Sequence, residues 1–213
     1  MAQFNWERLK PYAFHRGFRG FLQVLMRLMY NVKIVGHQNT TKSAGGIILA
    51  CNHLHAIDPG FLMIATRRRW RFIAKQELFR SKPSAWLCTH NNAFPVNREI
   101  IDRRALDYAV AVLKDGRCGL GIFPEGQRSP DGTPQAAKNG IATLARQARA
   151  AVLPCSLYYE GPLKLRTKVT VRIGELIPFE HLGLGGSPNK RESCQATEKV
   201  MAAVTQLWAQ GHG

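Results

Sequence analysis

The chain has 213 residues, of which 45% are hydrophobic and 21% charged. That is globular composition, sufficient for one domain whose core needs no staple, and it excludes a disordered or fibrous chain. Thirty Lys and Arg against 14 Asp and Glu leave a net charge of +16, a surface that attracts anionic lipid, phosphorylated substrates and carriers, or nucleic acid.

The first predicted element is a helix. Apolar residues at Phe14, Phe18, Phe21, Leu22, Leu25, Leu28 and Met29 follow helical spacing, with Arg16, Gly20, Gln23 and Arg27 opposite. Such a stripe serves either a helix packed on a core or one lying in a membrane interface, and the net charge favours an anionic membrane surface. Arg16, Arg19 and Arg27 interrupt every window long enough to span a bilayer, and no signal-peptide pattern is present. The five cysteines, Cys51, Cys88, Cys118, Cys155 and Cys194, are scattered without a CxxC pair, as reduced thiols are. The expectation is a cytoplasmic protein, peripheral on the inner face of the cell membrane. Residues 1–31 form its amphipathic segment and residues 32–213 its folded domain.

Beyond this helix, short runs rich in β-branched residues or Leu predict strands at 32–35, 46–50, 71–74, 93–96, 120–123, 152–157 and 169–173. Helices are expected after an Asp102 cap as far as Gly116, over 136–150, and over 192–208. Residues 182–189, LGLGGSPN, read as a flexible loop. The alternation predicts an α/β fold: a single domain with a mostly parallel central sheet flanked by helices. Loops that leave strand ends in such sheets are where sites form.

The first such loop is CNHLHAIDPG, residues 51–60. His53 and Asp58 would stand about 140° apart on a regular helix, so they meet only if the chain between them turns. Asp58-Pro59 supplies the turn, Asp as a helix cap and Pro as the first helical residue. A carboxylate on one imidazole nitrogen fixes the tautomer and leaves the other to take a proton from an alcohol. A metal site is the competing reading of His53, His55 and Asp58. Its spacing is poor, because no histidine directly follows Asp58 and the remaining histidines show no ligand pattern, so a metallohydrolase stands as the lesser alternative. The second loop, FPVNR, ends in Arg98, a fork suited to phosphate. The third, FPEGQRSPDG, presents Glu125 and Arg128 together, with Lys138 following near a helix start.

Taken in order, NHLHAID, FPVNR, FPEGQRS and VLP (residues 152–154) resemble the blocks of the glycerolipid acyltransferases, typified by bacterial 1-acylglycerol-3-phosphate acyltransferase. The resemblance spans about residues 32–175. It implies transfer of a fatty acyl group from acyl-CoA or acyl-carrier protein to the hydroxyl of a lysophospholipid. In that reading His53 is the general base and Asp58 its orienter. Arg98, Glu125, Gly126 and Arg128 bind the acceptor, the arginines on its phosphate. Asn52, Asn97, Gln127 and Lys138 support the site, and Pro154 shapes the acyl-donor region. No metal and no cofactor are implied. Gln127 stands where the family has threonine, and Asn97 where aspartate is commoner, so another lysophospholipid or an amino-acid-containing lipid is the alternative acceptor. A nucleic-acid partner is not expected, because no recognition motif accompanies the charge.

Overall fold

The apolar runs become β1 (Asn31–Val35), β2 (Ile47–Cys51), β3 (Trp70–Lys75), β4 (Ala93–Val96), β5 (Gly119–Ile122), β6 (Ala151–Tyr158) and β7 (Lys168–Ile173). The computed structural model describes residues 4–8, 14–41, 45–97, 100 and 102–213. One seven-stranded sheet takes these strands in the order β1-β7-β6-β2-β5-β3-β4. Pairing is parallel except between β6 and β7. Every expected strand end lies within one residue of its observed position.

Helices cover both faces: α1 (Phe14–Met29), α2 (Asp58–Ala65), α3 (Lys82–His90), α4 (Arg103–Asp115), α5 (Gly140–Ala148) and α6 (Lys190–Trp208). The period-2 alternation of a strand decides which residues meet which layer. In β2, Ile48 and Ala50 join the core under α4, α5 and α6, while Ile47, Leu49 and Cys51 join the core under α1 and α2. The chain is therefore an α/β domain of three layers, with β2 buried on both sides.

α4 begins as expected, with the Asp102 carboxylate accepting the Ala105 N–H at 3.0 Å. Its last turn closes with the Gly116 N–H donating to Val112 O. Three elements differ from the sequence reading. α3 has no apolar stripe to announce it; Ser81 caps it, Pro83 sits in its first turn, and only Ala85 is buried. α5 starts at Gly140 rather than 136, because the Lys138 N–H is drawn to Pro124 O at 2.9 Å and holds the preceding residues extended. α6 starts at Lys190 because Asn189 caps the Glu192 N–H at 2.7 Å. The 182–189 segment is pinned as well: Leu182 and Leu184 are buried, and Arg146 donates to Gly186 O.

α1 splits its apolar stripe. Met26 is buried, Leu22 and Met26 lie against Gly60 of α2, and Tyr30, just past the helix, packs edge-on to Phe61 at 5.3 Å. Phe21, Val24 and Leu28 remain exposed. Among the described residues no helix is long and apolar enough to cross a membrane.

Candidate active site

Five strands run in one direction, so β2, β5, β3 and β4 end side by side. A cavity of about 420 Å³ opens at these ends. Ile73, Ile122, Ile141 and Leu144 make its apolar walls, and His53, Asn97 and Lys138 bring polar groups to it.

Asn52 fixes where the His53 loop leaves β2. Its side-chain amide donates to Leu157 O at 2.9 Å and accepts the Leu157 N–H at 2.8 Å. The side chain thus acts as one more rung of the β2–β6 ladder. His53 follows, and its Nδ1 lies 2.8 Å from Asp58 Oδ2. The same oxygen accepts the Leu54 N–H at 2.6 Å and the His55 N–H at 2.7 Å. Asp58 is the first residue of α2 rather than its cap, and Ile57 holds the cap position. The carboxylate does not reach forward into its own helix; it turns back to close the loop before it. Asp58 is fully buried, so this charge-assisted set offsets the desolvation that burial imposes. With Nδ1 engaged, Nε2 is the ring nitrogen left for a substrate.

The imidazole is also held from its flat side. Phe123 stacks on it with ring centroids 4.0 Å apart and planes 17° apart, and Phe72 lies behind Phe123 at 6.5 Å. Gly121 makes room for this arrangement: a Cβ there would stand 2.3 Å from the Phe72 ring. Phe72 belongs to no motif in the sequence, and Phe123 opens FPEGQRS without a role of its own there. The signal was Gly121 within an otherwise apolar strand, a mark of close approach.

The FPEGQRS loop is tied to the same histidine. The Ser129 N–H donates to His53 O at 2.7 Å. Gly126 adopts φ +74°, and a Cβ there would touch the Lys138 side chain at 3.4 Å. Glu125 is 3% exposed, and neither carboxylate oxygen makes a hydrogen bond among the described residues. Burial pushes its carboxyl up to about 7, while the backbone N–H groups of Gln135 and His53, which face it without normal hydrogen-bond geometry, pull the other way. Glu125 therefore sits beneath the loop rather than in the cavity wall. Gln127 and Arg128 are exposed, outside that wall. Pro154 is buried within β6 opposite Ala50. Arg98 lies outside the described residues. His55 is exposed, its Nδ1 accepting the Ile57 N–H at 3.4 Å. Cys51, the thiol beside this loop, is buried, and burial first, then Cys155, raises its pKa well above the ordinary value. It is no ready nucleophile.

A histidine oriented by a buried carboxylate beside an apolar cavity is equipment for drawing a proton from a hydroxyl. The acyltransferase family matches residues 31–158, and the chain belongs to that family; it is an O-acyltransferase. It is 28% identical over 192 residues to the 1-acyl-sn-glycerol-3-phosphate acyltransferase of Bacillus subtilis, spanning 87% of this chain and 92% of that protein. The enzyme of the same name from Streptococcus pneumoniae is 32% identical over 120 residues, 56% of this chain and 43% of that one. Among solved structures, the 1-acyl-sn-glycerophosphate (LPA) acyltransferase PlsC from Thermotoga maritima superposes with a TM-score of 0.70 at 26% identity, covering 91% of this chain and 79% of that chain.

Proposed function

We propose that this acyltransferase moves a fatty acyl group from a thioester, on coenzyme A or acyl-carrier protein, to the free hydroxyl of 1-acylglycerol-3-phosphate, making phosphatidate. The observation that carries the reading is the 2.8 Å contact between His53 Nδ1 and Asp58 Oδ2 at the edge of an apolar cavity. The acceptor hydroxyl gives its proton to His53 Nε2 as its oxygen attacks the thioester carbonyl. The tetrahedral adduct then expels the carrier thiolate, which takes the proton from the imidazolium. Asp58 holds the ring and stabilises its charged form during the exchange. Positioning plus one proton shuttled through the imidazole suffices, and no acyl-enzyme is needed.

The apolar walls suit an acyl chain. Lys138 beside His53, with Arg98 and Arg128, is assigned to the acceptor phosphate. The loop that bears Arg128 is held by the Ser129 N–H on His53 O, with Gln127 exposed beside it. Residues 1–31 seat the protein on the anionic inner face of the cell membrane, and residues 32–213 carry the chemistry. The exposed half of the α1 stripe supports that division.

Lipid mass spectrometry of reactions with mixed acceptors and both donor types tests the proposal. The expected product is phosphatidate, with KM rising sharply for acceptors that lack the phosphate. Ester formation on a phosphate-free acceptor at equal KM would remove the assigned phosphate contacts, and no ester on any lysolipid would remove the reading.

A further inference from the structure

An apolar groove of about 410 Å³ lies between α1 and α3. From one side Leu22, Leu25 and Met26 line it; from the other, Leu78 and Leu87. Of the lining residues Leu78 (47% exposed) and Leu87 (46%) are open to solvent, and the same elements expose Phe21 (61%) and Leu28 (67%) on α1 and Trp86 (51%), stacked on His90 at 4.4 Å, on α3. Leaving such side chains in water is unfavourable by roughly 1.5–3 kcal/mol for each that could be fully buried. A patch of this kind, spread over two elements, marks a docking surface.

The charges around it say what docks. Neither α1 nor α3 contains a single Asp or Glu. Arg27 is exposed beside Leu28, and Arg80 and Lys82 are exposed where α3 begins. The neighbouring acid, Glu77, is paired with Lys75 at 3.7 Å. A cationic border around an apolar face complements an anionic bilayer, and a Trp flanked by aliphatic residues and cations has interfacial composition. A second copy of the chain would instead bring like charges together, on a protein whose net charge is +16.

We propose that α3, led by Leu78 and carrying Trp86 and Leu87, is a second bilayer-contacting element facing α1 across the groove. Two contacts on opposite sides of the groove define a plane, where one amphipathic helix alone leaves the domain free to rock. The inference extends the membrane part of the proposed function, and its test reads binding without turnover. A failure of acyl transfer and a failure of this contact are thus distinguishable.

The test uses sedimentation with vesicles of phosphatidylglycerol and of phosphatidylcholine. Trp86→Glu with Leu87→Glu is expected to lower partitioning onto phosphatidylglycerol by roughly tenfold or more while leaving the melting temperature unchanged. Trp86→Ser with Leu87→Ser, which adds no charge, should lower it in the same direction. The emission of Trp86, taken as wild type minus Trp86→Phe, should shift to the blue and be quenched by brominated acyl chains. Wild-type partitioning of both double variants, with loss confined to Phe21→Glu and Leu28→Glu, would overturn the proposal. So would unchanged Trp86 emission, or a concentration-dependent dimer that the α3 variants dissolve.

Discussion

The loop after β2 and the flank formed by α1 and α3 are built on opposite terms. At the loop, one buried carboxylate oxygen gathers the His53 ring and the Leu54 and His55 N–H groups, all within 2.8 Å. Its partners come from the chain itself. At the flank, Phe21, Leu28, Trp86 and Leu87 stand open. The first region is finished by folding, so its rigidity is available to position a proton acceptor. On the proposed reading, the second is finished only against a bilayer. Chemistry and location are then separable in this molecule, and substitutions should separate them.

Apart from His53 itself, the largest expected effect is at Asp58. Asp58→Asn cannot satisfy the imidazole and two backbone donors with the same oxygen, so kcat should fall by roughly 10²–10⁴. The loss should appear equally with vesicle-bound and detergent-dispersed acceptor, while vesicle binding stays at the wild-type level. Next is Gly121→Val. Its side chain collides with Phe72, the ring behind the Phe123–His53 stack. Overpacking of this kind costs about 1–3 kcal/mol, read as a lower denaturant midpoint, with a drop in kcat as the stack shifts.

Glu125→Gln gives a smaller, pH-dependent effect. The folded carboxyl is raised to about 7 from an ordinary value of 4.5. The stability it contributes as a neutral group is complete below the ordinary value and is lost as pH rises through about 7. Wild-type stability should therefore decline relative to Glu125→Gln by on the order of 2 kcal/mol between about pH 4.5 and pH 8. Parallel urea melts of the two proteins across that window check it, and superimposable pH profiles would contradict the buried carboxyl. The smallest effect on the fold is at the flank. Leu28→Ser should leave unfolding within about 0.5 kcal/mol of wild type while weakening attachment to anionic vesicles.

The contrast extends to what the sequence disclosed. Six strands were legible because they bury apolar runs in the sheet, and composition alone marks such runs; β1, at the sheet edge, buries no residue and was legible from its β-branched Val32, Ile34 and Val35. The His53–Asp58 pair was legible because Asp58-Pro59 starts a helix where the chain must turn. α3 was hidden, since its nine residues bury only Ala85 and present no helical stripe. The start of α5 was hidden because a distant acceptor, Pro124 O, overrides the helix propensity of Ala136 and Ala137. Glu125 reads as a substrate ligand from its loop, yet the fold buries it; burial of a single polar residue in a turn is set by tertiary packing. The Phe72–Phe123–His53 stack depends on the register of β3 against β5, which pairs Phe72 with Gly121. No local pattern carries that register.

The most direct test is acyl transfer from acyl-CoA and acyl-carrier protein to 1-acylglycerol-3-phosphate by purified wild type and His53→Ala, with melting curves for both. The account predicts phosphatidate from the wild type, a loss of roughly 10²–10⁴ or more in rate for the variant, and nearly coincident melts. Turnover by His53→Ala at a rate near the wild type's would contradict it.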